Sequence, residues 1–462
     1  MQYFQSAILL ALAASTHCLA PRNVRVKDKT FMTQPSDGST SEVIMLEGPN
    51  VVVKGPPYLP GVDGDSQCSD LVDAECQAAG TCETCYNFNE ADVNHIKSLG
   101  YNSIRLGVVW AGAQPTEGDS LDPAFMKRLH DILDLTDRTG IHVILDNHGD
   151  MVGSAGCGNG VPMWFQQKAA PDLIGKKLTT GFPYSLISSL KVTNVNGYDH
   201  CTTDEQWAVH AGDPNYNLLN ECCQAMNGPN PAGLGYTKIS QKTMDYMVNP
   251  GAGRDYFVKF WKLMAEAVVD HPSAIAAELM NEPMTIYRKH AFNTWRAAAE
   301  TINAVIPDMA VAVCDTGEGS FIPDWVTKYY PFGDLRIDMD TEKYMKESQN
   351  LFYAWHYYGQ PSTPDEAVKN AQAISDDWNM PSFATEFMGC STWNAAKNAG
   401  ISHSYWHYSC YCDTNTDFSA KGVVVPDTSF GACILGWGGG NADYTCDEEK
   451  VKDLEFLASA EA

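Results

Sequence analysis

Several apolar runs in this sequence contain or end in a polar or charged residue, and those residues are the ones equipped for chemistry. Arg105 lies inside the run at 103–109 and Asp146-Asn147-His148 closes the run at 141–146. Asn281-Glu282 follows 274–280, His356 follows 351–355, and Glu386 follows 382–385. Strands of a parallel α/β sheet are buried on both faces and read as apolar runs. In a closed barrel their C-terminal ends share one rim, so these polar groups converge there. Glu282 and Glu386 carry the most chemical content. Two carboxyl groups facing each other divide the work of breaking a glycosidic bond: a protonated one gives its proton to the leaving oxygen, and an ionised one attacks the anomeric carbon. Different surroundings separate their proton affinities. Glu282 and Glu386 are therefore the expected catalytic pair, as acid/base and nucleophile.

The neighbours suit that chemistry. Asn281 offers an amide to a sugar hydroxyl, or else caps the following helix. Arg105 holds the nucleophile ionised through a charge-assisted hydrogen bond, or else forms a buried structural pair. His148 and His356 bind hydroxyls or tune the carboxylates, and Tyr358 donates its hydroxyl to a carboxylate. Trp110, Trp164, Trp355, Trp393, Trp406 and Trp437 lie at or after strand ends. An aromatic face stacks on the apolar side of a sugar ring, and its alternative use is core packing. Trp406 is the one assigned to substrate. The expected substrate-binding set is thus Arg105, His148, Asn281, His356, Tyr358 and Trp406. Asp146-X-His148-X-Asp150 has the composition of a metal site, but alternate residues on an extended strand end share one face, and no metal is expected there. Cys82-X-X-Cys85 lacks the second pair that a zinc site needs.

These residues need a scaffold of alternating strands and helices. Strands are predicted at 50–54, 103–109, 141–146, 274–280, 310–314, 351–355, 382–385 and 403–407. Helices are predicted at 89–99, 122–138, 254–270, 289–305, 364–378, 392–399 and 450–458. Eight strand–helix units without a spare read as an α/β fold, a (β/α)₈ TIM barrel. Before them, two extended pieces around Pro35-Ser36-Asp37-Gly38 suggest a hairpin closing the barrel bottom. The rhythm breaks at 151–252, a stretch rich in Gly, Pro, Asn and Cys. A segment this long inside a compact domain is functional or stapled. It follows the third strand, on the face where barrels keep their sites.

Bulk properties narrow the class. The hydrophobic fraction is 44% and the charged fraction 19%, enough to build a large core. Acidic residues number 57 against 31 basic, a net charge of −26, which repels nucleic acid and anionic membranes. Residues 1–20 read as a secretory signal peptide, without Lys or Arg at its start. No other run is long and apolar enough for a membrane anchor. Cys18 falls in the signal, and the even number of cysteines left argues for disulfides and a secreted, extracellular protein. No Asn-X-Ser/Thr sequon occurs. One barrel domain, acting as a monomer, fills 21–462.

The motifs resemble those of glycoside hydrolase family 5. Leu-Met-Asn-Glu-Pro at 279–283 is similar to that family's Asn-Glu-Pro signature, and Ala-Thr-Glu-Phe at 384–387 to its nucleophile strand. Ser-Ile-Arg at 103–105, His356-Tyr357-Tyr358 and Trp406 match its remaining site motifs. Arg-Leu-Gly-Val-Val-Trp at 105–110 with Gln-Pro-Thr-Glu-Gly at 114–118 is similar to the endoglycoceramidase-like branch. So is Asp146-Asn147-His148-Gly149-Asp150, with Gly149 in place of a Gln. The resemblance implies a barrel, a retaining mechanism, and neither metal nor organic cofactor. Two departures stand out: the long insertion, and too few residues after Glu386 for the C-terminal β-sandwich that this branch usually carries.

The sequence thus predicts a secreted retaining β-glycosidase. Its substrate is a β-linked glucan or a β-glucosyl glycoconjugate, with a glycolipid or a β-mannan as the alternative. The rival readings are a non-catalytic sugar-binding barrel and metal-assisted hydrolysis around Asp146, His148 and Asp150.

Overall fold

The computed structural model describes residues 21–62, 88–182, 184–186, 191–192, 201–225, 232–285, 287–314, 337–358, 362–387, 389–406 and 408. The signal-peptide reading, the Cys82–Cys85 pair, the helix at 450–458 and Trp437 lie outside them. A hairpin of β1 (Val24–Lys27) and β2 (Thr30–Thr33) comes first. Eight parallel strands then close on themselves: β3 (Glu47–Val51), β4 (Ser103–Gly107), β5 (His142–Asp146), β6 (Ala274–Glu278), β7 (Ala310–Cys314), β8 (Leu351–Tyr357), β9 (Ser382–Phe387) and β10 (Ser402–Tyr405). β10 pairs with β3 to complete the ring, as expected for a (β/α)₈ barrel.

The helices outside the ring are α1 (Glu90–Ser98), α2 (Pro123–Thr139), α3 (Lys238–Val248), α4 (Ala252–Ala267), α5 (Arg288–Val305), α6 (Met339–Glu347), α7 (Pro364–Trp378) and α8 (Cys390–Asn398). Local chemistry fixes their ends. Asp122 caps α2 with Pro123 in the first turn, and Gly140 at φ 75° ends it. Thr363 and Glu366 form a reciprocal capping box on α7. Of these eight, α6 and α3, the latter near the end of the insertion, were not foreseen.

The pleat explains how the strands divide their side chains. On β8, Leu351, Tyr353 and Trp355 pack outward against the helices. Phe352 and Ala354 face the barrel interior, with Ile144, Ala276, Ala310, Ala312, Cys314 and Phe383. The hairpin plugs this interior from below: the Phe31 ring meets Phe352 and Phe383 edge-on, at 5.4 and 5.9 Å between centroids. The expected pairing across Pro35–Gly38 is present: Met32 bridges Val43 antiparallel, Thr33 N donates to the Glu42 carbonyl and Ile44 N to the Phe31 carbonyl. A second, tighter turn at Asp28-Lys29, both left-handed, joins β1 to β2 and was not foreseen. Buried Arg22 anchors the hairpin by donating to the carbonyls of Val268, Val269 and His271 after α4.

The insertion has a small core of its own, including Met151, Tyr184, Trp207, Tyr216, Leu234 and Tyr236. Two disulfides staple it, Cys157–Cys223 and Cys201–Cys222.

Candidate active site

Arg105 is the hub of the site. It points into the barrel from the middle of β4 and is fully buried. Its Nε and Nη2 donate to both oxygens of Glu278, at 2.7 and 2.9 Å. Nη1 donates to Asn50 at 2.7 Å and to Glu386 at 3.0 Å, and Nη2 to Asn281 at 2.9 Å. Asp146 Oδ1 lies 3.0 Å from Nη2. Burial alone lowers a guanidinium's proton affinity. Here Asp146, Glu278 and Glu386 outweigh it and hold the group well above its ordinary value. The expected charge-assisted bond to Glu386 is present as a single N–H, while the bidentate face of the guanidinium goes to Glu278. Glu278 was missed in the sequence because it lies inside the segment read as strand 274–280, ahead of Asn281-Glu282 at its end. A carboxylate inside such a run needs a cation, and Arg105 was the one available signal. Burial raises the Glu278 carboxyl, but Arg105 and His356 bring it down to about 2.

Glu282 and Glu386 face each other with His356 beside them. One ligand atom from each of the three lies within 4.8 Å of the others. Glu386, on β9, is the more enclosed, its side chain 7% exposed against 23% for Glu282. Burial raises the Glu386 carboxyl, but His356, Arg105, His148 and Lys54 together lower it. Tyr358 Oη donates to Oε1 of Glu386, while Arg105 holds Oε2. Tyr358 is half exposed, but its hydroxyl is turned onto Glu386, and the enclosure of that hydroxyl followed by the Glu386 charge holds the phenol well above its ordinary value. Glu282 sits just past β6 in a left-handed conformation, φ 41°. That is rare for a residue with a side chain, and it costs on the order of 1–3 kcal/mol. His356 Nδ1 donates to Glu282 at 3.0 Å and Nε2 lies 3.7 Å from Glu278. Burial disfavours charge on this imidazole, yet Glu386, Glu278 and Glu282 hold it well above its ordinary value.

Asn281 accepts from Arg105, which identifies its bonded atom as the oxygen. Among the described residues its buried Nδ2 has no hydrogen-bond partner, and it can donate to a bound hydroxyl.

A second chain of groups runs along the opposite wall. His148 Nδ1 donates to Asp146 at 2.7 Å, and Nε2 lies 3.6 Å from Asp150. Lys54 bonds Asp150 at 2.7 Å and lies 4.4 Å above the Trp406 ring, which stacks on His148. Burial lowers the His148 imidazole, but Asp146 and Asp150 raise it to about 9. Lys54 and Asp150 join the site although the sequence reading left them out of it. Gly149, where the resembling motif carries a Gln, crosses Gly160 so closely that a Cβ would fall 2.7 Å from its Cα. Of the other tryptophans, Trp110, Trp355 and Trp393 are core residues, and Trp164 donates to the Gln114 carbonyl.

Every expected site residue therefore lies in this one cluster. Four cationic groups (Lys54, Arg105, His148, His356) face five carboxyls (Asp146, Asp150, Glu278, Glu282, Glu386), so one proton on the carboxyls balances the site. Among the described residues, two groups offer ligand atoms to a cation: Glu282–His356–Glu386, and Asp134–Asp137–His271. Asp146, His148 and Asp150 are not among these groups: His148 turns Nδ1 to Asp146 and Nε2 to Asp150, and Arg105 and Lys54 pair the two carboxylates.

Known proteins resemble this chain in sequence and fold. The cellulase family, glycosyl hydrolase family 5, matches residues 70–181 and 236–415, more than half of the chain. An endoglycoceramidase from Cyanea nozakii is 25% identical over 335 residues, 71% of this chain and 56% of that protein. Endoglycoceramidase I from Rhodococcus hoagii is 32% identical over 121 residues, 26% of this chain and 20% of that protein. The crystal structure of an endogalactoceramidase has the same fold, with a TM-score of 0.52 at 16% identity, covering 87% of this chain and 78% of that one. The chain spans about half the length of the Cyanea relative and less of the Rhodococcus one. Both levels of the resemblance, the family and its endoglycoceramidase-like branch, are borne out.

Proposed function

The chain belongs to glycosyl hydrolase family 5, and from that premise we propose that it is a retaining β-glycosidase with Glu386 as nucleophile and Glu282 as acid/base. The observation that carries the reading is the asymmetry of the two facing carboxyls. Glu386 is enclosed and kept ionised by Arg105, His356 and Tyr358, whereas Glu282 is more open and touches His356. Their spacing suits direct attack rather than an interposed water, since retaining enzymes hold the two groups about 5–5.5 Å apart.

Glu386 attacks the anomeric carbon as the glycosidic bond breaks, and Glu282 gives its proton to the departing oxygen. The covalent glycosyl-enzyme then reacts with a water that Glu282 deprotonates, which frees the sugar and restores both carboxyls. As Glu386 loses its charge to the new ester, Arg105 stays paired with Glu278. Asn281 Nδ2 is placed to donate to a sugar hydroxyl beside the reacting carbon. Lys54, Asp150, His148 and Trp406 line the wall where further hydroxyls and a ring face would rest.

The substrate in this reading is a β-linked glucan or a β-glucosyl glycoconjugate. The glycolipid alternative draws support from relatives named endoglycoceramidase. The two disulfides of the insertion suit a secreted protein in an oxidising compartment. The test is hydrolysis of β-1,3-glucan, β-1,4-glucan, β-mannan and glucosylceramide, each compared with the Glu386→Gln protein. Cleavage that disappears in the variant supports the reading and names the substrate. Turnover retained by the variant contradicts it.

A further inference from the structure

The 151–252 insertion meets the site at both of its ends, and one helix turn holds the two together. Directly after Asp150, Met151 and Val152 take left-handed conformations, φ 56° and 84°. At the other end, Thr237 caps α3 by accepting from Ser240 N, and two side chains of that first turn reach outward. Ser240 Oγ donates to the Met151 carbonyl at 3.1 Å. Gln241 Nε2 donates to the Gly235 carbonyl at 2.7 Å and to the Met284 carbonyl at 3.0 Å.

Met284 lies two residues beyond Glu282. The insertion backbone packs directly on it: a Cβ on Gly235 would fall 1.9 Å from Met284 Sδ. The turn at Glu282 is strained, and strain of this kind persists only where surrounding structure over-determines the backbone. Upstream, Asn281 N donates to the Asn147 carbonyl and fixes the strand end. Downstream, Gln241 ties the turn to a segment that is itself stapled, because Cys157–Cys223 joins the beginning of the insertion to the stretch before α3. Tyr236, next to Gly235, is buried against Tyr184 at 4.7 Å between ring centroids, so the supporting face is packed.

We infer that Gln241 is a positioning residue for the general acid: by bridging the Gly235 and Met284 carbonyls, it fixes the left-handed turn that aims Glu282 at the leaving oxygen. The inference rests on the assignment of Glu282 made above. The insertion then does more than line the cleft, since it sets the angle of the proton donor.

General-acid catalysis matters when the leaving group is a poor one and hardly at all when it leaves unaided. A misaimed acid therefore penalises only the former, while a loosened fold penalises both alike. The test compares kcat/KM, which reports bond breaking, for a phenyl and a dinitrophenyl β-glycoside of the sugar that the substrate panel selects. The proteins are wild type, Gln241→Met, Gln241→Glu and Glu282→Gln. The ratio between the two substrates does not depend on how much of a variant is folded. For Glu282→Gln the phenyl substrate loses about 10²–10⁴-fold and the dinitrophenyl substrate little. For both Gln241 variants the same pattern appears, with about 10–100-fold lost on the phenyl substrate, the scale of a small misplacement. An unchanged ratio in the Gln241 variants, beside a changed ratio in Glu282→Gln, overturns the inference and leaves the function standing. An unchanged ratio in Glu282→Gln overturns the acid/base assignment and the inference with it.

Discussion

The two ends of one barrel are built from the same strands and hold opposite contents. On β8 the inward side chains run Phe352, Ala354, His356 from bottom to top. On β5 and just beyond it they run Ile144, Asp146, His148, and on β6 Ala276, Glu278. At the lower end aromatic and aliphatic groups meet Phe31 of the hairpin, and their worth is burial. At the upper end the same spacing presents ionised groups that are largely buried. Charges there are tolerated only because each is paired and hydrogen-bonded. One end thus stores stability, and the other spends some of it to hold four cations against five carboxyls.

Substitutions at the two ends sharpen this contrast. Glu386→Gln at the upper end leaves the fold intact and lowers kcat by about 10⁴-fold or more, measured on whichever substrate the panel yields. Arg105→Met removes the cation that Asp146, Glu278 and Glu386 share. It lowers both activity and stability, the latter by about 3–5 kcal/mol in denaturant unfolding, because it leaves buried charge uncompensated. Phe31→Ala empties the plug at the lower end, costs about 3 kcal/mol, and leaves kcat per folded molecule unchanged. If Phe31→Ala slowed turnover as much as it destabilised, the division between the ends would be wrong.

Tyr358→Phe deletes one hydrogen bond to the nucleophile and lowers kcat/KM by about 10–100-fold, the worth of a bond to a charged group. The smallest effect is on the pH dependence of stability. His148 is held up to about 9, above an ordinary value of about 6.5. Its contribution is complete below pH about 6.5 and is lost as pH rises through about 9. Thermal unfolding midpoints fall across that window, with His356 adding to the slope, and His148→Gln makes the fall shallower.

The contrast also explains what the sequence discloses. The barrel is legible because buried parallel strands are unbroken apolar runs, and their boundaries lie within a few residues of those observed. Glu282, Glu386 and His356 are legible because they interrupt such runs at their ends. Glu278 is not, since it lies inside the segment read as a strand and its meaning depends on Arg105, 173 residues away. Lys54 is hidden for the same reason: its pairing with Asp150, itself visible in the Asp-X-His-X-Asp motif, is made by the ring closing, not by spacing along the chain. The turn at Asp28-Lys29 lacks the glycine or asparagine that usually marks left-handed positions. Pro35-Ser36-Asp37-Gly38 nearby gave the stronger signal. Helix α3 is masked by the irregular composition around it, so the bonds of Ser240 and Gln241 emerge only from the fold.

The central claim is that Glu386 becomes covalently attached to the sugar. Incubation with a 2-deoxy-2-fluoro glycoside bearing a dinitrophenyl leaving group, followed by proteolysis and mass spectrometry, tests it directly. The account predicts one sugar added per chain, on the peptide that contains Glu386, together with loss of activity that returns as the adduct turns over. Attachment to Glu282, or full turnover of true substrate by a protein that never acquires a label, would contradict it.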